Sequence, residues 1–183
     1  NINRYPGKGL RFVIVGRISY QKGIDRIIPM LNNIDNCHLT IIGDGTEKNN
    51  ILKSILYYKV EDKIKFLNFS NIANSYIAGA DYLLLPSRWE GLPNVALESL
   101  ALGTPVICFK EIDGLNDFKP FVPKNALKFC MNVAEMEQIL KNSNFRQDYS
   151  VPKIRKNLLS TFNTPELYAK KIEIMMKGLI FEK

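Results

Sequence analysis

The sequence is poor in the side chains that most often mark metal or disulfide chemistry. Its 183 residues include three cysteines, one histidine and one tryptophan. The cysteines, at positions 37, 108 and 130, lie far apart in apolar stretches. An odd number of cysteines without short spacings argues against a disulfide framework or a zinc site. A chain of this kind fits a reducing compartment, so we expect it in the cytoplasm.

Long hydrophobic runs and blocks of like charge are also lacking. No apolar run approaches the length that spans a bilayer, and the first residues do not form the hydrophobic region of a signal peptide. The net charge is +7, and lysine outnumbers arginine, which an A/T-rich coding bias also produces. The charge alone therefore does not indicate an anionic partner, and no aromatic-interleaved basic stretch points to nucleic acid.

Apolar runs typical of β-strands alternate with helical patterns along the first two-thirds of the chain. The sequence predicts strands at residues 10–16, 37–42, 63–67, 81–85, 105–109 and 126–130. It predicts helices at residues 25–33 with Asp25 as N-cap, 47–58, 71–79, 93–102 and 133–141, then two more at 152–160 and 165–177. Alternation implies right-handed crossovers between parallel strands, and continuously apolar strands imply a sheet covered on both faces. The prediction is an α/β fold with a doubly wound, Rossmann-like parallel sheet.

Two glutamates, Glu90 and Glu98, stand eight residues apart in the stretch P-S-R-W-E-G-L-P-N-V-A-L-E-S. The first follows a predicted strand, and the second falls about two turns into the next predicted helix. Both lie near the carboxyl end of a strand, where open α/β sheets bind ligands. Carboxylates accept strong hydrogen bonds from hydroxyls, so the pair suits a nucleotide-sugar. The alternative is that both glutamates are solvated charges on the protein surface with no role in binding.

A second polar segment, G-R-I-S-Y-Q-K-G, follows the first predicted strand from Gly16 onward. Its Arg17 and Lys22 lie where they can grip a pyrophosphate, the arginine as a fork and the lysine as a point charge. The segment matches neither the P-loop pattern nor G-x-G-x-x-G. Taken alone, this segment is equally consistent with Arg17 and Lys22 being solvated surface cations that bind no ligand.

Three segments together resemble the donor-binding half of a retaining GT-B glycosyltransferase of the glycogen-synthase-like family, often called GT4. G-R-I-S-Y-Q-K-G resembles that family's G-R-x-x-x-x-K-G element. G-D-G-T-E-K-N-N-I-L, at residues 43–52, is similar to its G-x-G-P-x-x-x-x-L element. Residues 86–107 are similar to its E-x7-E signature with a G-x-P-V-I ending. The resemblance runs over residues 10–117 and implies one half of a GT-B fold.

The resemblance also implies a role for each matching residue. Arg17 and Lys22 would neutralise the diphosphate leaving group, in a loop opened by Gly16. Glu90 would face the transferred sugar as an orienting group, and Glu98 would bind the ribose hydroxyls. Backbone groups near Phe66 and Leu67 would hold the base, and the amides of Asn94 and Val95 would touch the phosphate or sugar.

In the GT-B scheme, fixed cations take the place of a metal at the diphosphate. The sequence has no D-x-D motif and no cluster of histidine and cysteine, so we expect no metal and no cofactor. The substrate would be a nucleotide-sugar such as a UDP- or GDP-sugar.

Three positions depart from the family pattern. Leu92-Pro93 stands where the family often has Phe-Gly, and proline has no N–H to donate. Asn68 replaces a common glycine after the third strand, and the loop at residues 112–115 only loosely resembles a glycine-rich loop.

The expected organisation is that of a fragment. Residues 1–9 are predicted to be an interdomain linker, residues 10–150 the donor-binding domain, and residues 151–183 helices that cross toward a missing N-terminal acceptor domain. We expect sugar transfer in bacterial surface polysaccharide or glycolipid assembly, with a lipid-linked acceptor at the inner face of the membrane. The chain alone would be inactive. The alternatives are a non-catalytic nucleotide-sugar binding module and, less favoured, a basic nucleic-acid-binding domain.

Overall fold

A computed structural model describes residues 9–69, 72–123, 125–142 and 173. Six strands form one sheet: β1 (Leu10–Val15), β2 (Cys37–Ile42), β3 (Ile64–Leu67), β4 (Tyr82–Leu85), β5 (Val106–Phe109) and β6 (Leu127–Cys130). Four α-helices accompany them: α1 (Lys48–Tyr58), α2 (Ala73–Gly79), α3 (Asn94–Ala101) and α4 (Val133–Asn142). Short 3₁₀ helices occupy Tyr20–Lys22, Ile24–Arg26, Pro29–Asn33, Glu61–Lys63 and Asp113–Phe121.

All neighbouring strands of the sheet are parallel, in the order β3-β2-β1-β4-β5-β6. In the centre, Val13 of β1 pairs with Thr40 of β2 on one side and with Leu83 of β4 on the other. The chain winds outward from β1 to β3, then returns to β4 and winds outward to β6. The predicted doubly wound, Rossmann-like sheet is confirmed, and its winding changes direction between β1 and β4.

The sheet is apolar on both faces, because alternate side chains of each strand enter two separate cores. Phe12 and Ile14 point into one core, where they meet apolar residues of α1 and α4. Val13 and Val15 point into the other, where they meet apolar residues of α2 and α3. Helices therefore cover both faces, which explains why the strands are apolar at nearly every position.

The first crossover differs from the prediction of an α-helix at residues 25–33, which is wrong. The chain instead forms three 3₁₀ helices in succession. Gly23 adopts a left-handed conformation with φ 62° between the first two. Pro29 begins the third and has no amide to bond the carbonyl of Asp25, as an α-helix would require. Asp25 is not an N-cap; it lies inside the second 3₁₀ helix and binds Arg88 through its carboxylate.

The other elements predicted up to residue 142 exist, and their ends shift by at most two residues. Helix α3, for example, begins at Asn94, and Pro93 is its N-cap. The start of the helix predicted at residues 71–79 and the tail helices predicted at 152–160 and 165–177 lie outside the described residues, apart from Glu173, which is helical. Within the described part of the chain, no helix combines the length and hydrophobicity of a membrane span.

The three cysteines are buried and carry free thiols. Burial raises the pKa of Cys37 to about 11 and that of Cys130 to about 12, so both thiols are protonated at neutral pH. They contribute to the cores as small apolar groups.

An ion pair joins β1 to the start of β4 at the amino end of the sheet. Arg11 Nε and Nη2 donate to the Asp81 carboxylate at 3.0 and 2.7 Å, and the Arg11 amide donates to it at 2.8 Å. The Asp81 side chain is almost fully buried, and three donors satisfy it. The central strands are thus fastened at the edge opposite the loops discussed next.

The loops at the carboxyl edge of the sheet approach one another backbone to backbone at glycines. A Cβ on Gly43, after β2, would lie 1.9 Å from the Gly16 carbonyl oxygen after β1. A Cβ on Gly114, after β5, would lie 2.3 Å from the Gly91 carbonyl oxygen after β4. Side chains cannot be added at these positions without moving a neighbouring loop, so the glycines set how closely the loops approach.

The Gly114 contact predicts a pair of alanine variants with different stabilities. Gly114→Ala places a methyl group against the Gly91 backbone, so it should lower the free energy of unfolding by about 1–3 kcal/mol. The matched change Gly91→Ala adds a methyl group where no atom lies within 4 Å, and it should be close to neutral. Thermal unfolding of both variants measures the difference, with each 1 kcal/mol shifting the midpoint by roughly 2–4 °C. Equal midpoints would show that the two loops do not pack this closely.

Candidate functional site

Two loop segments lie side by side where β1 and β4 end. The Arg88 amide donates to the Gln21 carbonyl at 2.8 Å, and Gln21 Nε2 donates to the Trp89 carbonyl at 3.1 Å. Lys22 Nζ donates to Glu90 Oε1 at 2.5 Å. Residues 20–22 therefore run alongside residues 88–90. The structure brings Lys22 and Glu90, two of the residues singled out in the sequence, into direct contact.

The Lys22–Glu90 ion pair is largely withdrawn from water. The side chains of Lys22 and Glu90 are 20% and 11% exposed. The buried hydroxyl of Ser87 also donates to Glu90 Oε1, at 3.0 Å. Two charges at this depth are stable because each neutralises the other and the hydroxyl adds a further hydrogen bond. Both described hydrogen bonds of the carboxylate go to Oε1.

Gly16 provides the space in which the Lys22 side chain lies. A Cβ on Gly16 would come 3.3 Å from Lys22 Cε and 3.6 Å from its Nζ. The Gly16 φ of 149° is a second reason for glycine at this position. A larger residue would press on the lysine stem, so Gly16 acts on the site through Lys22.

Arg88 fastens the loop after β4 to the 3₁₀ helices after β1. Its guanidinium donates to both Asp25 carboxylate oxygens, at 2.9 and 2.6 Å, and to the Tyr20 carbonyl at 2.7 Å. The same guanidinium lies 3.8 Å from the centre of the Tyr20 ring. The hydrogen bond from Arg88 holds the pKa of Asp25 below its ordinary value, so this carboxylate stays ionised at neutral pH.

Arg26 makes a second connection between the same loops. Its Nη1 donates to the Pro86 carbonyl at 3.3 Å, and its guanidinium lies 3.9 Å from the centre of the Phe109 ring. An ion pair with Glu111 at 3.4 Å completes its contacts with β5 and the loop that follows. Arg26 and Arg88 together limit how far the strand-end segments can move apart.

Helix α3 carries the remaining residues of the E-x7-E stretch. Asn94 and Val95 lie in its first turn, so their amides have no partner within the helix. Glu98 lies in the second turn and is exposed, between the buried residues Leu97 and Ser99. Glu98 takes no part in the described Lys22–Glu90 contact.

No described contact joins Arg17, Phe66 or Leu67 to the ion pair. Arg17 is exposed and directly follows Gly16. Phe66 and Leu67 end β3, two strand spacings or about 10 Å from β1. The Leu67 carbonyl accepts a hydrogen bond from the Gly43 amide at 2.9 Å, and the Phe66 side chain packs on one of the cores. The base-binding role that the resemblance implies for the Phe66 and Leu67 backbone stays a prediction.

Several residues that shape the site were not assigned a role from the sequence. Ser87 had a recognisable signal, because a serine three residues before a glutamate often bonds it or a nearby amide. Arg88 and Asp25 lie 63 positions apart, and their pairing becomes visible only in the fold. Gly114 is likewise revealed by its contact with Gly91.

The family described as glycosyl transferases group 1 matches residues 1–151 of the chain. Among curated proteins, the amylovoran biosynthesis glycosyltransferase AmsD of Erwinia amylovora is 33% identical over 115 residues, which is 60% of this chain and 33% of AmsD. The O-antigen biosynthesis glycosyltransferase WclY of Escherichia coli is 32% identical over 102 residues, which is 56% of this chain and 29% of WclY.

Several solved structures share the fold. Anabaena Alr3699/HepE in complex with UDP matches with a TM-score of 0.73 and 18% identity, over 92% of this chain and 49% of HepE. WaaG, a glycosyltransferase involved in lipopolysaccharide biosynthesis, matches with a TM-score of 0.74 and 20% identity, over 91% of this chain and 46% of WaaG. The described sheet is thus one half of a GT-B fold.

The match to the relatives is partial in length. The chain spans about a third of the curated relatives it matches and about half of the solved structures. The family match covers more than three-quarters of the chain, including both loop segments of the candidate site and helix α3. The chain belongs to the glycosyl transferases group 1 family.

Proposed function

We propose that this chain is the donor-binding half of a retaining, GT4-type glycosyltransferase and that it binds a nucleoside diphosphate sugar. The observation that carries the proposal is the contact between Lys22 and Glu90 at the ends of β1 and β4. Glycosyl transfer breaks the bond between the sugar and its diphosphate. A site for this reaction needs a cation on the phosphate side and a hydrogen-bond acceptor on the sugar side. Lys22 and Glu90 supply the two groups side by side.

In the proposed complex, the diphosphate lies between the loop after β1 and the start of α3. Lys22 turns from Glu90 to a phosphate oxygen, and the exposed Arg17 adds a second cation. The first-turn amides of Asn94 and Val95 face the same anion, because the amino end of a helix carries partial positive charge. Pro93 adds no N–H there but ends the loop at a fixed φ.

The remaining donor contacts follow from the positions of the other residues. Glu98, exposed on α3, accepts hydrogen bonds from the ribose hydroxyls. Backbone groups at Phe66 and Leu67, at the end of β3, hold the base. Glu90 stays bonded to Ser87 and turns its second carboxylate oxygen to a hydroxyl of the transferred sugar. A nucleotide-sugar stretched along the carboxyl edge of the sheet reaches all of these groups.

Charge separation explains how these groups would promote transfer. As the glycosidic bond breaks, the diphosphate gains negative charge and the sugar becomes positive. Lys22 and Arg17 stabilise the leaving group at the moment when its charge develops, and Glu90 orients the sugar. Two fixed cations perform the task that a divalent metal performs in other transferases, so the proposed reaction needs no metal.

Relatives in sequence and fold suggest the setting. AmsD is an amylovoran biosynthesis glycosyltransferase and WclY an O-antigen biosynthesis glycosyltransferase, and HepE has been solved with UDP and with UDP-glucose. We therefore propose a UDP- or GDP-sugar donor and a place in surface polysaccharide or glycolipid assembly at the cytoplasmic side of a membrane. An N-terminal domain would provide the main acceptor-binding surface, and without that domain the chain would not transfer sugar. A non-catalytic nucleotide-sugar binding module is the alternative.

The phosphate assignment predicts unequal losses of affinity on removing the two cations. Lys22→Ala removes a charge-assisted bond of about 1.5–3 kcal/mol and leaves Glu90 unneutralised beside the diphosphate. It should therefore weaken UDP or GDP binding by about 10- to 100-fold, and more than Arg17→Ala does. Isothermal titration calorimetry with UDP, GDP and ADP is the measurement.

Two further variants make this titration decisive. Lys53→Ala, on the exposed side of α1, removes the same charge away from the site and should leave the affinity unchanged. Lys22→Ala combined with Glu90→Gln should recover part of the lost affinity, because the uncompensated carboxylate is gone. If Lys22→Ala and Lys53→Ala bind every nucleotide equally well, Lys22 does not contact the diphosphate.

The division of roles between the two glutamates predicts different responses to nucleotide and nucleotide-sugar. Glu98→Gln should weaken UDP and UDP-glucose by the same factor, about tenfold, since both ligands contain the ribose. Glu90→Gln should bind UDP as tightly or more tightly, because Lys22 no longer has a competing carboxylate, yet lose the added affinity for UDP-glucose. Glutamine keeps the shape of glutamate, so packing is little changed. Equal losses of UDP affinity in both variants would refute the division.

Fixed cations at the diphosphate predict that nucleotide binding is independent of divalent metal. Titrations of UDP into the chain in excess EDTA and in excess Mg²⁺ or Mn²⁺ should give affinities within about a factor of three, less than 1 kcal/mol. A tenfold or larger gain on adding either metal would mean that a metal bridges the protein and the phosphates.

A further inference from the structure

Two aromatic rings stand exposed beside the Lys22–Glu90 contact and have no part in the proposed donor site. Tyr20 is 61% exposed and Trp89 is 53% exposed. Their ring centroids lie 6.1 Å apart, and their planes are inclined by 55°. Trp89 directly precedes Glu90, and Tyr20 is two residues before Lys22. The rings therefore form an apolar surface at the edge of the candidate site.

The residues that carry both rings are held in place by their neighbours. The Arg88 guanidinium stacks 3.8 Å from the centre of the Tyr20 ring and also binds the Tyr20 carbonyl. Gln21 Nε2 binds the carbonyl of Trp89 at 3.1 Å. Rings on backbone fastened in this way lose little conformational freedom when a ligand binds. The fastened backbone distinguishes Tyr20 and Trp89 from Tyr57, a more exposed aromatic residue on the outer side of α1.

The chemistry around the rings favours a sugar as the occupant. A pyranose ring has a face of C–H groups, which packs on the electron-rich face of an aromatic ring, and a rim of hydroxyls. The half-exposed Asp25 carboxylate and the Arg88 guanidinium border the rings and can bond those hydroxyls. A protein surface docked here would have to bury the same charges, which costs free energy unless each is paired again.

The position of the rings identifies which sugar would lie there. Glu90 is assigned to the transferred sugar, and Trp89 is its neighbour in the chain. An acceptor must be held within bonding distance of the donor sugar for the transfer to proceed. We propose that Tyr20 and Trp89 form a platform that binds a hexopyranose unit of a saccharide acceptor. The identification of this saccharide as the acceptor rests on the proposed function, whereas saccharide binding by the platform does not.

Trp89 is the only tryptophan of the chain, so its fluorescence reports directly on the platform. The chain is titrated with maltotriose, lactose and N,N'-diacetylchitobiose, each up to about 50 mM, well above the millimolar dissociation constants expected for a few stacking contacts. The titrations are run with and without saturating UDP. We expect a saturable change in Trp89 emission with at least one saccharide.

The variants separate stacking from general effects of sugar. Tyr20→Leu should weaken the saccharide response at least tenfold, whereas Tyr20→Phe, which keeps the ring, should retain it. Tyr57→Leu is the matched control on α1 and should respond like the unsubstituted chain. Thermal unfolding midpoints show that each variant is folded. For Trp89→Leu, saturation-transfer NMR of the saccharide protons replaces fluorescence, and the transfer should be lost.

Each outcome bears on one hypothesis. If no saccharide changes the emission, or if Tyr20→Leu responds like Tyr57→Leu, the platform is refuted even where UDP binds as proposed. If the saccharide response stands but the chain binds no nucleotide, the platform holds and the proposed donor site fails. Emission that depends on protein concentration and not on saccharide would assign the rings to a protein contact and overturn the proposal.

Discussion

The parallel pairing of β1 with β4 is the constraint on which the candidate site depends. These two strands are neighbours in the sheet, although two strands and three crossovers separate them in the chain. The winding changes direction between them, so their following loops leave the same edge without a helix passing over the gap. Arg11 and Asp81 fasten the amino ends of the pair, and Arg88 and Arg26 fasten the loops at the carboxyl ends. Lys22 and Glu90 meet because the strands beneath them cannot separate.

The ion pair within this frame has consequences for binding. Burying the charge of Lys22 or of Glu90 at this depth would cost free energy if the other residue were absent. The Ser87 hydroxyl lowers the cost of burying the carboxylate, because it donates a hydrogen bond to it. Under the proposed function, an incoming diphosphate competes with Glu90 for Lys22. The lysine then has an anionic partner before and after binding, while Glu90 keeps Ser87 and gains hydroxyls from the sugar. Because the Lys22 ammonium group is never left unpaired during this exchange, the free-energy cost of the exchange stays low.

Most of the fold could be predicted from the sequence because the strands are apolar at nearly every position, a pattern that only a sheet covered on both faces explains. The failure of the helix prediction at residues 25–33 has a local cause, since the apolar spacing was helical but Pro29 has no amide for the hydrogen-bond ladder of an α-helix. Within the site, Lys22 and Glu90 were recognised from their motifs. Their direct contact was not, and neither was the pairing of Arg88 with Asp25. Contacts between residues more than sixty positions apart depend on strand order, which spacing along the chain does not encode.

Both edge strands of the sheet carry a lysine, and this affects whether copies of the chain aggregate through strand pairing. The edge strands, β3 and β6, are four residues long and read I-K-F-L and L-K-F-C, each with a lysine at the second position. Lys65 Nζ lies 3.4 Å from the Tyr76 hydroxyl, and Lys128 Nζ lies 5.7 Å from the centre of the Tyr82 ring. A foreign strand that tried to extend the sheet at either side would have to strip water from an anchored ammonium group. Short edge strands that each carry a lysine thus disfavour aggregation through strand pairing. Such protection matters here because the central strands are among the most apolar segments of the chain.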